Sequence, residues 1–256
     1  MNFDIGVNVL VALLLAATRS AAWLMVCPPF NGKAIPMTVK GMLAVGLALP
    51  VVPRLSAGSV PSLDTWSLVI AAGEQVVVGA GLGFLTAVIF AGVQAAGDLL
   101  DVFGGFSLAF AFDPMSFSGN NAVLGRFYGL LATTLLFVTG SHQVIIRGFT
   151  LSYDAIPLDG GLSLGRLGTL LTTGLGQLLL SAAQIAGPLI VVLFCADVGL
   201  GLLNRIAPAL NPFQIGFPAK IGLTLVLVGL TMPMLPMSVE NIAKHAASAV
   251  MEAIGR

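Results

Sequence analysis

Apolar residues fall in long runs along this chain, separated by short clusters of glycine, proline and charge. The run lengths predict helices. Ile5 to Pro28 is an apolar segment broken by Arg19. At about 1.5 Å per residue such a helix crosses a bilayer core of roughly 30 Å. Lys40 to Pro53 is apolar but shorter than the roughly 20 residues a span needs, which predicts a half-helix or a buried helix. Thr65 to Gly97 reads as one long helix with Glu74 inside it. Glycines at 73, 79, 81, 83 and 92 would let another helix approach it closely. Arg126 to Ile146 has the length of a span. Leu167 to Ala196 holds no Asp, Glu, Lys, Arg or His. As one helix it would be about 45 Å long, with a kink expected at Gly187-Pro188. Ile221 to Leu235 is a further apolar helix, bounded by Pro233 and Pro236. The polar tail from Ser238 is mildly amphipathic and predicted helical.

The connectors carry turn chemistry. Cys27 to Pro36 and Ala57 to Asp64 are rich in proline, glycine and polar residues. Arg147 to Gly168 is polar and reads as a solvent-exposed loop. Phe103 to Asn121 lacks helical period and sets five phenylalanines among glycines and small residues. A strand over Phe106 to Phe112 would leave its backbone unsatisfied unless protein buries it. The segment is therefore expected to be an aromatic loop held inside an assembly. Gly79 to Gly83 has the spacing of a nucleotide-binding glycine motif, but it follows no strand and lies inside an apolar helix, so that reading is set aside.

The densest chemistry lies between two of the longest apolar runs, from Ala196 to Ile221. An acid, Asp197, two bases, Arg205 and Lys220, and three prolines, Pro208, Pro212 and Pro218, fall within it. Proline removes a backbone donor and clashes with the preceding turn. The stretch is expected to run helix, rigid elbow, helix, with Pro208, Pro212, Gly216, Phe217 and Pro218 forming the elbow. Pro218 is expected to start the last helix, which would set Lys220 in its first turn, where a cation needs a partner.

Composition narrows the class. Of 256 residues, 57% are hydrophobic and 9% charged, against about 25% charged in soluble domains. The chain is therefore inserted in a membrane, surrounded by other subunits, or both. The formal charge is zero, which excludes a basic nucleic-acid surface as a main feature. Cys27 and Cys195 stand far apart in apolar sequence and suit no metal or redox motif. His142 and His245 sit near no nucleophile–base pattern, so an intramembrane enzyme is disfavoured. A signal peptide needs a basic start. Here Asp4 is the only early charge, so the first segment is expected to remain in the mature protein.

Charges within apolar sequence become the candidate functional residues: Arg19, Glu74, Asp98, Asp101, Asp197, Arg205 and Lys220. An arginine at a helix centre costs about 2.5–3.5 kcal/mol on insertion scales. Arg19 is therefore expected to snorkel to an interface or to meet another subunit. Asp197 and Arg205 are eight positions apart, too far for i,i+4 pairing. A stand-alone secondary transporter could use Asp98, Asp101, Asp197 and Arg205 as proton or substrate sites. It would be favoured by internal repeats, which the sequence does not display. The loops give no consistent Lys/Arg asymmetry, so the positive-inside rule sets no clear topology.

The order Ala-Asp at 196–197, Leu-Gly-Leu at 200–202, Asn-Arg at 204–205, a proline, Asn-x-Phe at 211–213, Gly-Phe-Pro at 216–218 and Lys-Ile at 220–221 resembles the C-terminal signature of the FliR/SctT family of type III secretion export-gate proteins. Pro212 departs from that pattern, where a small apolar residue is expected. Thr18-Arg19, the connector near Pro36 and Lys40, Asp98 and Asp101 with Gly105, and Asp113-Pro114 match the same order. The resemblance implies an all-α, integral membrane-derived protein of long, kinked, Gly/Pro-interrupted helices. Residues 1–166 would be FliP-like, with an aromatic plug loop at 103–121. Residues 167–256 would be a FliQ-like helical hairpin and tail.

It further implies a non-catalytic subunit, without cofactor or metal, that closes a FliP/FliQ ring and docks FlhB. Such a ring sits in the bacterial inner membrane at the flagellar basal body, beneath the rod base and extending toward the periplasmic side, and passes unfolded export substrates. Phe106, Phe110, Phe112, Asp113 and Pro114 would plug the conduit, with Gly104 and Gly105 as the plug hinge. Apolar side chains can stop ion flow by dewetting.

Overall fold

The computed structural model describes residues 2–32, 35–56, 64–107, 122–158, 164–206 and 212–253. Among them helices and turns account for the regular structure, and there is no strand. In chain order the helices are α1 (Asn2–Val26), α2 (Met37–Ala48), α3 (Val52–Leu55), α4 (Thr65–Phe103), α5 (Val123–Val138), α6 (Ser141–Ala155), α7 (Leu164–Ile206), α8 (Pro212–Thr231) and α9 (Leu235–Ala253). A 3-10 turn at Met232–Met234 joins the last two. Among the described residues, four stretches are long and apolar enough to span a membrane: Gly6–Val26, Thr65–Phe103, Leu171–Leu203 and Gly216–Met251. The protein is all-α and of membrane type.

The chain divides into two compact units. The first comprises Met1–Phe90, Gly140–Leu175 and Ala243–Arg256. The second comprises Ala91–Thr139 and Gly176–Ile242. Glycine sets the spacing of helices within each. In the first unit, Gly79 and Gly83 of α4 lie against the α1 backbone at Arg19 and Trp23. A Cβ at Gly83 would stand 2.9 Å from the Trp23 carbonyl, and one at Gly79 would overlap the Arg19 carbonyl. Two small residues four apart thus let the helices touch backbone to backbone. Trp23 then stacks on Phe149 of α6 at 4.4 Å between ring centroids, and Phe149 meets Tyr153 edge-on at 5.5 Å. Val11, Ala12, Leu15, Val52, Ala71 and Leu158 close the apolar core beside them.

In the second unit, Gly97 of α4 lies against Leu124 and Gly125 of α5, where a Cβ would come 2.8 Å from the Gly125 Cα. Gly92 packs against α7, with Leu178 and Ser181 each 3.0 Å from a Cβ placed there. Tyr128 of α5 is buried.

Several helix boundaries differ from expectation. The single span expected over 126–146 is two helices, α5 and α6, bent by 79°. Thr139 ends α5 and Gly140 follows at φ +72. A left-handed glycine just past a helix end turns the chain at no Cβ penalty. The polar loop expected from Arg147 is helical to Ala155, because Ile145, Phe149, Ser152 and Tyr153 share a buried helical face. The α2 helix is short, but it is mostly exposed, with only Ala44 and Ala48 buried.

Part of the expected elbow is helical. Pro212 is the first residue of α8, a position where its missing N–H costs nothing. Gly216, Phe217 and Pro218 lie inside α8, and residues 207–211 lie outside the described residues. Lys220 is therefore the ninth residue of α8, and the first-turn dipole argument does not apply to it. Toward the chain's end, Pro233 sits in the 3-10 turn and Pro236 in the first turn of α9, so helix resumes where a stop was expected. The α7 helix runs unbroken through Gly187 and Pro188.

Candidate functional site

The first unit holds the more deeply buried charge. Arg19 is 0% exposed. Its Nε donates to Gln75 Oε1 at 2.6 Å, Nη1 to the Ser152 carbonyl at 3.3 Å, and Nη2 to the Ile156 and Pro157 carbonyls at 2.9 and 3.4 Å. The guanidinium also lies 4.5 Å from the centroid of the Tyr153 ring. These carbonyls belong to the C-terminal end of α6 and the turn beyond it. That end has unsatisfied acceptors and the negative pole of the helix dipole. Arg19 thus neither snorkels nor waits for another subunit in this fold. Its charge is spread over helix-end carbonyls, an amide and an aromatic face within its own chain.

Neighbouring groups complete this arrangement. Gln75 Nε2 donates to the Leu158 carbonyl at 3.0 Å. Tyr153 Oη donates to the Ala16 carbonyl at 2.8 Å, which leaves it to accept from Ser20 Oγ at 2.9 Å. Sequence reasoning singled out neither Gln75 nor Tyr153. The available signal was a glutamine and an arginine, each within a long apolar run. Glu74, one residue before Gln75, is half-buried on another face of α4.

The second unit gathers several of the other candidates. Asp101, 1% exposed, accepts from the backbone N–H of Leu124 and of Gly125, at 3.1 and 3.0 Å on its two oxygens. Asp98 is half-buried one turn earlier, and a Cβ at Gly125 would overlap its carboxylate. The chain then turns at Gly104 and Gly105. Gly105 has φ +87, a conformation that favours glycine. Both glycines are packed. A Cβ at Gly104 would stand 2.8 Å from the Thr224 side chain, and one at Gly105 would stand 3.5 Å from the Phe217 ring. Thr224 Oγ1 donates to the Lys220 carbonyl at 2.8 Å. Phe106 and Ser107 are helical, not part of an irregular loop. Phe110, Phe112, Asp113, Pro114 and Pro208 lie outside the described residues.

Lys220 ties this corner to α7. Its Nζ is 2.7 Å from both oxygens of Asp197. The lysine side chain is 16% exposed and the aspartate 43%. Arg205 is exposed at the end of α7. Around these charges the helices present bare apolar side chains, including Phe194, Val198, Leu202, Leu203 and Leu225. Asp197 and Arg205 are thus not partners. The pairing runs across 23 positions, from one arm of the helix pair to the other.

The pattern of the bacterial export proteins, family 1, matches residues 10–246. The chain belongs to that family. The matched span includes both the Arg19 cluster and the Lys220 corner. The flagellar biosynthetic protein FliR of Escherichia coli (strain K12) is 33% identical over 218 residues, 85% of this chain and 82% of that one. FliR of Bacillus subtilis (strain 168) is 25% identical over 240 residues, 92% of each. The surface presentation of antigens protein SpaR of Shigella flexneri is 26% identical over 201 residues, 76% of this chain and 77% of that one. As a member of the export family, the chain uses its charges in helix ends and helix pairs.

Proposed function

We propose that this bacterial export protein is a non-catalytic subunit of a type III export gate in the inner membrane, in the flagellar basal body. It assembles with FliP and FliQ, docks FlhB beneath the rod base, and lines the conduit for unfolded substrates. Residues 1–166 correspond to a FliP-like part and 167–256 to a FliQ-like hairpin and tail, with the segment 103–121 as the plug.

One observation carries the assembly part of this reading. The long apolar helices of the second unit leave large hydrophobic side chains bare around a half-exposed ion pair and an exposed arginine. Lipid accepts the hydrophobic side chains but not the charges. A neighbouring protein surface accepts both. Two of the four candidate sites of the transporter alternative are engaged in the same geometry. Asp101 is occupied by two backbone N–H groups and Asp197 by Lys220.

Purification from membranes tests the proposal. The tagged chain is expected to copurify with FliP and FliQ and to move no solute when purified alone. A monodisperse chain that moves a solute by itself would overturn it.

A further inference from the structure

From Thr65 to Gly97, Glu74 is the only Asp, Glu, Lys, Arg or His. It lies in α4, a helix long and apolar enough to span a membrane. Cations of its own unit are engaged elsewhere. Arg19 bonds to Gln75, the very next residue, and to the carbonyls of Ser152, Ile156 and Pro157. Lys40 donates to the Asn31 carbonyl, and Arg54 lies 3.9 Å from Asp154. Among the described residues, Glu74 makes no ion pair and no hydrogen bond. The fold therefore carries a carboxylate within an apolar helix and draws no described bond from it.

The helix surface beside Glu74 is bare. Helical spacing sets Trp66, Ile70, Gly73, Val77 and Phe84 on one stripe of α4, and Glu74 borders that stripe between Ile70 and Val77. The four large side chains are exposed. A Cβ at Gly73 would meet nothing within 4 Å, whereas at Gly79 and Gly83 it would meet the α1 backbone. Lipid could cover the apolar side chains. It could not cover an ionised carboxylate, which at membrane depth needs an opposite charge. An open glycine next to that carboxylate lets a second helix backbone come close.

We propose that this stripe of α4 is a docking face for an apolar helix of a neighbouring gate subunit, and that a lysine or arginine on that helix pairs with Glu74. The partner's chemistry follows from charge: a cation is what a carboxylate in an apolar surface requires. The inference rests on reading the chain as a gate subunit. It adds a surface distinct from the Asp197–Lys220 pair, whose cation the chain supplies itself.

The test uses the full chain in cells. Val77 is replaced by the photo-crosslinking residue p-benzoylphenylalanine, and adducts are mapped by peptide mass. The expected adduct joins another subunit at an apolar segment that carries a lysine or arginine. Adducts to lipid alone, an adduct within the chain, or a partner segment without a base would each overturn the proposal. Glu74→Gln keeps the shape and removes the charge. It should lower the FliP and FliQ recovered per chain at least about tenfold, because it leaves the partner's cation unpaired. Glu74→Lys should lower it further, and Glu74→Asp should stay closest to wild type.

Replacing the base in the crosslinked segment with glutamate should restore recovery to Glu74→Lys. Unchanged recovery in Glu74→Gln, or no restoration by the reciprocal exchange, would overturn the pairing. So would a fall in chain level with recovery per chain unchanged, since Glu74 would then serve the fold. If Glu74→Lys does not accumulate, Glu74→Gln and the Val77 adduct decide. A wild-type chain that recovers neither FliP nor FliQ would remove the gate reading itself, while the Val77 adduct would still show whether a basic helix covers Glu74.

Discussion

Arg19 and Lys220 are both cations in apolar helices, and the chain treats them in opposite ways. Arg19 is fully enclosed and its described partners lie in its own unit. Lys220 has one carboxylate partner, itself nearly half exposed, amid bare apolar side chains. The first arrangement is complete as it stands. The second leaves apolar and charged surface together, as an assembly surface does. A buried cation can therefore belong to the fold or to the complex, and its partners tell which. Substitutions at the two positions should separate the effects: loss of the chain itself in one case, loss of the assembled complex in the other.

Arg19→Met carries the largest expected effect. It would leave Gln75 Oε1 and the carbonyls of Ile156 and Pro157 without the Arg19 donor, and would leave the Ser152 carbonyl with only the Ile156 N–H. Hydrogen bonds to charged groups contribute about 1.5–3 kcal/mol each. Losing the set should destabilise the chain by on the order of 3 kcal/mol or more. Arg19→Lys should rescue only partly, because a point ammonium cannot fan donors over a helix end as the planar fork does. Immunoblots of membranes would read the chain level directly. Normal levels with failed assembly would break the contrast and move Arg19 to the assembly class.

Gly79→Ala comes next. A Cβ there overlaps the Arg19 carbonyl, so α1 and α4 must move apart. Overpacking of this kind costs typically about 1–3 kcal/mol. Gly216→Ala is its control, since that Cβ would rest 3.5 Å from Leu200 in ordinary contact. Thermal unfolding of the purified complex should show a lowered midpoint for the first and little change for the second. Equal shifts would mean that the close approach of α1 and α4 has slack.

How much of this was visible in the residues follows from the same physics. Long apolar runs marked α1, α4 and α7, since a helix needs only its own backbone for hydrogen bonds. The second half of α6 was missed because Arg147, Ser152, Tyr153 and Asp154 make its sequence look like a loop. Its burial is decided by Trp23 and Arg19, more than 120 residues away. Arg19 was visible as a problem but its solution was not, because carbonyls have no sequence signature. The turn at Gly140 was in principle legible from a glycine following Val138-Thr139. The Asp197–Lys220 pair was harder: both residues stood out, but they lie on different helices 23 positions apart, and no local spacing rule pairs them. Pro218 misled, since proline inside an apolar helix was read as a helix start.

Lys220→Met should act on the complex more than on the chain. Exposed ion pairs contribute about 0–1 kcal/mol, so chain level should hold near wild type while the yield of assembled complex falls. Exchanging the charges, with Asp197→Lys and Lys220→Asp together, should restore the yield if the pair matters only to its own two helices. If the double exchange stays defective, a neighbouring subunit reads the sign at each position. A fall in chain level as deep as that of Arg19→Met would erase the difference between the two cations.

The two cysteines report the same contrast while disturbing the molecule least. Cys27, beside the Arg19 cluster in sequence, is buried, and burial pushes its thiol well above the usual range. The thiolate is the reactive form, and a raised pKa makes it scarcer at any working pH below that value. Cys195, two residues before Asp197, is exposed. In detergent, a maleimide should therefore label Cys195 in the isolated chain and leave Cys27 unmodified until denaturant is added. Counting labels by intact mass, with Cys27→Ser and Cys195→Ser as controls, distinguishes the sites. Partners that cover α7 should slow labelling of Cys195 in the assembled complex without changing Cys27. Equal labelling of Cys195 with and without partners would place that face of α7 against lipid or detergent instead, and would confine the assembly surface to the Lys220 side of the helix pair.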